Sequence, residues 1–111
     1  MKESIKYDDF AKLDLCVGRV LEVENIIGAD KLYKLTIDIG DEERTVCAGI
    51  KEYISKDDLK GRQVILLVNL EPRKLKGIES QGMILAAVDK SEGKVVLLQP
   101  FEEIREGTRI S

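Results

Sequence analysis

The order of strand-like and helix-like segments constrains this chain most. Five apolar segments read as strands, and the one mid-chain helical segment falls between the third and the fourth. In residues 15–25, Leu15, Val17, Leu21 and Val23 share one parity and Val20 breaks it. Gly18 stands just before the break, so a long bent strand with a bulge near Gly18 is expected. Residues 26–31 read as a loop. Residues 32–39 alternate cleanly: Leu35, Ile37 and Ile39 point inward, and Lys34, Thr36 and Asp38 outward. Gly40-Asp41-Glu42 is a hairpin turn, and residues 43–49 return as the third strand. Ser55-Lys56-Asp57-Asp58 opens a short helix that Gly61 ends. Residues 62–70 and 83–88 are strands four and five. Residues 95–98 add a short sixth strand closed by Pro100, and residues 107–110 a last short one. Near the N-terminus, residues 8–13 read as one or two helical turns, with an Asp at the N-cap and Phe10 and Leu13 on one face.

This order is that of an all-β OB-fold, a five-stranded Greek-key barrel with a short helix between strands 3 and 4 and appended N- and C-terminal elements. At 111 residues the chain makes one domain, 1–111. Such barrels bind nucleic acid on the strand 2–3 face and on the loops joining strands 1–2 and 4–5, here residues 26–31 and 71–80. On its own that is analogy. Strands four and five are apolar on both parities: Val64, Leu66 and Val68 against Ile65 and Leu67, then Met83, Leu85 and Ala87 against Ile84, Ala86 and Val88. A small barrel buries one face of each strand. The other needs cover from the terminal segments 1–14 and 95–111, through Phe10, Leu13, residues 95–98, Ile104 and Ile110, or from a second subunit. A homodimer is the preferred expectation, because large exposed apolar patches are uncommon on monomers.

The net charge of −3 counts against a generic polyanion binder. The charge is uneven, however. Between residues 60 and 76 stand Lys60, Arg62, Arg73, Lys74 and Lys76 against the single anion Glu71, a local charge of +4. Strand, basic loop, strand is an arrangement that holds positive charge over a rigid surface, and it points to an anionic partner. The alternative is a solvated loop that keeps a sheet edge soluble.

Catalytic chemistry finds little support. There is no His to act as a base beside a nucleophile. Neither GxxxxGK[ST] nor GxGxxG occurs, so a phosphate-cradling nucleotide site is not expected. Asp8-Asp9, Asp57-Asp58 and Glu102-Glu103 sit in polar or capping contexts. Cys16 and Cys47 stand apart without a CxxC spacing and read as half-buried thiols, so neither metal nor cofactor is expected. No apolar run is long enough for a membrane span and no signal-peptide core is present, which makes the cytoplasm the default.

Several stretches together resemble a known family: residues 9–15 (DFAKLDL), 17–20 (VGRV), 28–32 (GADKL), 48–50 (AGI), and above all Asn69-Leu70 through Gly82-Met83-Ile84-Leu85-Ala86-Ala87. The chain is similar, from about Asp8 to Ile110, to the tRNA-binding domain found as the C-terminal extension or beta subunit of methionyl-tRNA synthetase and as a stand-alone dimeric tRNA-binding protein. The resemblance implies an OB-fold with appended termini, a homodimer, and tRNA binding by shape without reading sequence. It implies no catalysis by the domain. Action would be in trans, beside an aminoacyl-tRNA synthetase, with the methionyl enzyme the first candidate. The alternatives are a secretion-type peptide-binding chaperone, whose group lacks the full Ser80-Gln81-Gly82-Met83 segment, and a docking module of a synthetase complex.

The family motif implies Ser80 and Met83 at the tRNA-binding surface, with Arg73, Lys74 and Lys76 of the preceding loop. Lys31 and Gln81 are added as candidates, and Asn69, Gly77 and Gly82 as residues that structure the loop. For Ser80 a turn hydroxyl and for Met83 a core methionine stay open as alternatives. Asn69 is expected to hold the loop through side-chain hydrogen bonds. The chain departs from the family at Cys16, where an Arg is usual. Arg19 lies on the opposite parity and is not assumed to replace it.

Overall fold

The computed structural model describes residues 1–111. Five strands form the frame: β1 (Leu15–Ile26), β2 (Ala29–Asp38), β3 (Glu43–Ala48), β4 (Gln63–Leu67) and β7 (Met83–Ile84). They lie in the order β3-β2-β1-β4-β7, and β10 (Arg109–Ile110) pairs with the start of β1. Helix α2 (Lys56–Leu59) falls between β3 and β4, as expected. The hydroxyl of Ser55 caps it by accepting the Asp58 N–H at 3.2 Å. Leu59 on α2 reaches full burial together with Val20, Leu35, Ile37, Val46 and Leu66. The inward parity of β2 is therefore the one the alternation predicts.

Several boundaries differ, each for a local reason. The register of β1 shifts between Val20 and Glu22, so the bulge lies at Leu21 and not near Gly18. Gly18 serves a close approach instead: a Cβ there would lie 2.5 Å from Cγ2 of Ile37. The expected loop over residues 26–31 is a tight turn, because Ile26 already pairs with Ala29 and Gly28 takes φ +81°. Lys31 consequently sits within β2. Helix α1 (Tyr7–Phe10) has no Asp at its N-cap; Asp9, in the first turn, accepts the Lys6 backbone N–H at 3.3 Å. The fifth strand breaks at Leu85. Leu66 and Leu67 of β4 pair with Ile84 and Met83, after which β8 (Ala86–Asp89) pairs only with β9 (Lys94–Leu97).

This break bears on the second apolar face. Ile65 and Leu67 form a small second core with Leu15 and Val17, against which Leu85 and Ile110 pack. The chain thus covers the outer face of β4 itself. Phe10 and Leu13 do not supply that cover and stay 37% and 43% exposed. Uncovered apolar side chains are also found at Val88 and Val96 of the β8–β9 hairpin and at Leu98, Phe101 and Ile104 beyond it.

Arg19 anchors the C-terminal segment. Its guanidinium donates to Glu106 at 2.9 and 3.1 Å, to the Gly61 carbonyl at 2.8 Å, and to Glu103. Buried Gln63 donates to Glu106 at 2.7 Å. The Gln63 hydrogen bond, followed by those from Arg19, holds the Glu106 carboxyl below the usual glutamate range. A depressed folded pKa contributes stability above the unfolded value and loses it as pH falls through the folded one. The C-terminal segment is therefore expected to loosen only below about pH 4.3, the ordinary glutamate value. Hydrogen exchange of residues 100–111 against pH checks this, and Glu106→Gln should flatten the profile.

Candidate nucleic-acid interface

The basic segment after β4 is a regular hairpin of β5 (Arg73–Leu75) and β6 (Ile78–Ser80). Arg73 faces Ser80, Lys74 faces Glu79, and Leu75 faces Ile78 across it. The connecting residues Lys76 and Gly77 have φ of 51° and 82°. Positive φ at both central positions marks the type I′ turn, whose twist matches that of paired strands. Glycine meets that requirement freely. Lysine does not, and Lys76 is the only non-glycine residue in the chain with positive φ. A left-handed residue with a Cβ costs about 1–2 kcal/mol. Lys76→Asn, a residue that tolerates this conformation, is expected to stabilise the fold by roughly 0.5–1 kcal/mol. The same variant should bind polyanions less tightly. Thermal melts and binding isotherms check the two halves together.

The fold narrows the sequence's local charge. Lys60 pairs with Glu22 at 3.4 Å, and Arg62 Nε donates to the Asp58 carbonyl at 2.6 Å. Arg44 pairs with Glu42, and Arg19 with the C-terminal segment. Arg73, Lys74 and Lys76 take part in no ion pair, although Glu79 lies across from Lys74 and Glu71 is near in sequence. Of the four cations of residues 60–76 that make no ion pair, Arg73, Lys74 and Lys76 therefore sit on one short hairpin, and Arg62 is held against a backbone carbonyl away from it.

The sheet is not closed by a ladder between β3 and β7. Residues 80 and 81 hold that seam. Ser80 Oγ accepts the Cys47 N–H at 3.0 Å. Gln81 donates its backbone N–H to the Thr45 carbonyl at 2.8 Å, and its side-chain Oε1 accepts the Thr45 N–H at 3.2 Å. Arg44 Nη1 donates to the carbonyls of Val68 and Gln81 at 3.0 and 3.1 Å. Gly82 follows at φ +148°, where a Cβ would lie 2.8 Å from the Leu67 carbonyl oxygen. Ser80, expected at the surface, is 5% exposed with its hydroxyl engaged in the seam. Burial leaves it no free donor at the hairpin's surface. Met83 is 44% exposed, so it is not a core methionine.

Asn69 also differs from expectation. It ties down the N-terminal segment and not the basic hairpin, with Oδ1 accepting the Asp14 N–H at 2.9 Å and Nδ2 donating to the Lys12 carbonyl at 2.7 Å. Lys31 is exposed in β2 and does not line the cleft at the hairpin's foot. Cys16 packs in the main core, so the family's usual Arg position faces inward here.

That cleft has a volume of about 410 Å³ and lies among Leu70, Pro72, Arg73, Met83 and the edge of β3 at Cys47. Burial pushes the Cys47 thiol up from its ordinary pKa, with Lys34 opposing. The thiol is therefore mostly protonated near neutrality and is not an activated nucleophile. The sequence marks Cys47 only as a half-buried thiol and gives Arg44 no mark at all, because their seam partners Val68, Ser80 and Gln81 lie 24 to 37 residues further along the chain.

The family described as "Putative tRNA binding domain" matches residues 15–109. The chain belongs to this tRNA-binding domain family. Among curated proteins, it is 52% identical over 108 residues to a methionine–tRNA ligase of Thermococcus onnurineus, matching 97% of this chain and 14% of the ligase. The chain thus spans about a seventh of that relative's length. Among solved structures, a MetRS-related protein from Pyrococcus horikoshii superposes with a TM-score of 0.92 at 41% identity, covering 99% of this chain and all of the other. The chaperone CsaA from Bacillus anthracis superposes at 0.89 with 34% identity, covering 98% and 100%. In this tRNA-binding domain, the Ser80-Gln81-Gly82 part of the motif closes the seam, and the following Met83 is left exposed beside the basic hairpin.

Proposed function

We propose that this chain binds tRNA by its shape, as a homodimer, and acts beside an aminoacyl-tRNA synthetase, the methionyl enzyme first, in the cytoplasm. The observation that carries the reading is the hairpin with three cations free of ion pairs. Phosphates attract such charges without any reading of bases. Arg73, Lys74, Lys76 and Met83 make the contact, with Lys31 as an outlying cation. Ser80, Gln81, Gly77 and Gly82 set the hairpin's position, and Asn69 fixes the N-terminal segment beside it. The chain supplies binding, and chemistry belongs to the partner enzyme. A second tRNA contact raises the enzyme's apparent affinity through effective concentration.

Support for a dimer comes from the exposed apolar side chains of the β8–β9 hairpin and the residues after it, since β4 no longer needs a partner. Sedimentation equilibrium of the wild type and of Val96→Asp tests it. A dimer that the substitution splits is expected, and a wild-type monomer at micromolar concentration overturns it.

The test of the main reading is a salt titration of binding to folded tRNA, with a duplex RNA and a single strand of matched length alongside. Selective tRNA binding is expected, with a log–log salt slope of about −2 to −3 for three phosphate contacts per protomer. Equal or absent binding to all three RNAs defeats it. In that case peptide binding moves forward. The likeness to CsaA favours that second reading, as does an apolar groove of about 330 Å³ between α2 and β9, lined by Ile54, Leu59, Val95 and Leu97.

A further inference from the structure

The foot of the basic hairpin combines features that phosphate attraction alone does not require. Three apolar residues, Leu70, Pro72 and Met83, border the cleft of about 410 Å³. Leu70 and Met83 are 40% and 44% exposed, an apolar border to the basic hairpin. Arg73 and Glu71 line the same cleft. Glu71 is exposed and pairs with none of the cations near it. The floor is rigid, because Ser80 and Gly82 are held in the seam and Cys47 belongs to β3. A pure phosphate surface would be better without Glu71 and has no use for an apolar slot. The volume falls within the roughly 300–1,000 Å³ typical of small-ligand sites.

We infer that this cleft receives one unpaired nucleobase of the bound RNA, with guanine preferred. The inference rests on the tRNA-binding reading and deepens it. Unpaired bases of RNA are recognised by packing their flat faces on side chains and by hydrogen bonds to their edges. Here Leu70, Pro72 and Met83 supply packing, and Arg73 holds the adjoining phosphate. An ionised carboxylate is a pure acceptor. Guanine is the RNA base whose Watson–Crick edge presents two adjacent donors, N1–H and the N2 amino group, which both oxygens of Glu71 can take. Uracil offers a single donor between two carbonyls that a carboxylate repels.

Glu71→Ala gives the two accounts opposite signs. If only charge matters, removing an anion beside three cations tightens tRNA binding. If the cleft holds a guanine, binding weakens by about tenfold, the worth of a good edge contact. Glu71 makes no ion pair or side-chain hydrogen bond, so the variant is expected to fold. The second readout is alkylation of Cys47 by iodoacetamide at mildly alkaline pH, with buried Cys16 as the internal reference. Saturating tRNA should protect Cys47 in the wild type, and inorganic polyphosphate should not. GMP should protect it at concentrations where UMP leaves it reactive. Unchanged or tighter binding by Glu71→Ala overturns the inference, as does free alkylation of Cys47 in the saturated complex. If the wild type binds no tRNA, the underlying reading fails, and the GMP and UMP comparison alone then decides the pocket.

Discussion

Replacing Arg73, Lys74 and Lys76 together by Glu is expected to weaken tRNA binding by at least about a hundredfold at moderate salt. Three attractive contacts become three repulsive ones on a surface that the fold holds rigid. The log–log salt slope should fall towards zero in the same variant, because the counterions released by those contacts are no longer displaced. Folding should survive. None of the three side chains makes an ion pair or is buried, and all lie outside the two apolar clusters that hold β1, β2 and β4. The one structural penalty is a like-charge pair at Lys74→Glu opposite Glu79, which costs up to about 1 kcal/mol. Binding isotherms at several salt concentrations, with a thermal melt beside them, measure both halves. A triple variant that keeps wild-type affinity and slope would place the RNA contact elsewhere on the chain.

The second large effect concerns the seam. Gly82→Ala is expected to destabilise the protein by about 2–4 kcal/mol, combining an unfavourable φ with a backbone collision. The added methyl group would lie 2.8 Å from the Leu67 carbonyl oxygen and 3.4 Å from Cδ1 of Leu66. Backbone at that place cannot yield cheaply, because Leu67 pairs with Met83 in the same ladder. For a domain near this size the melting temperature should drop by roughly 10 °C or more. RNA affinity should fall with it, since the seam bonds at Ser80 and Gln81 set where the hairpin stands. Gly77→Ala is the control. Gly77 also has positive φ, but nothing lies within 4 Å of its added Cβ. Its cost should stay near 1–2 kcal/mol and remain local to the turn. Equal melting temperatures for the two variants would contradict the collision argument.

Much of the fold was legible because its signals are local. The alternation of Leu35, Ile37 and Ile39 is a period-two pattern that reads directly as one buried face of β2. Ser55 before a polar turn and Gly61 after it bracket α2 with the chemistry that starts and stops helices. The errors in β1 and at residues 26–31 came from glycines with more than one possible use. Gly18 permits a close approach to Ile37, and Gly28 compresses an expected loop into a turn. The break at Leu85 was hidden, because residues 83–88 are apolar throughout and an unbroken apolar run carries no mark of where pairing changes partner.

The sequence by itself determined the succession of strands, the helix between strands 3 and 4, the basic segment between strands 4 and 5, and the membership of the tRNA-binding domain family. These depend on spacing, turn chemistry and contiguous motif residues. Only the tertiary structure decided which polar side chains are free. Ser80 turned inward because the unpaired edge of β3 needs an acceptor for the Cys47 N–H, and a buried donor left unpaired costs about 1–3 kcal/mol. Lys60 left the basic patch because Glu22 lay within reach after folding, while Arg62 keeps its charge but is fixed against the Asp58 carbonyl. Arg73, Lys74 and Lys76 remained available because none of them closes an ion pair, even with Glu79 across the hairpin from Lys74. Pairings of this kind join residues distant in sequence, and three-dimensional proximity, not composition, sets them.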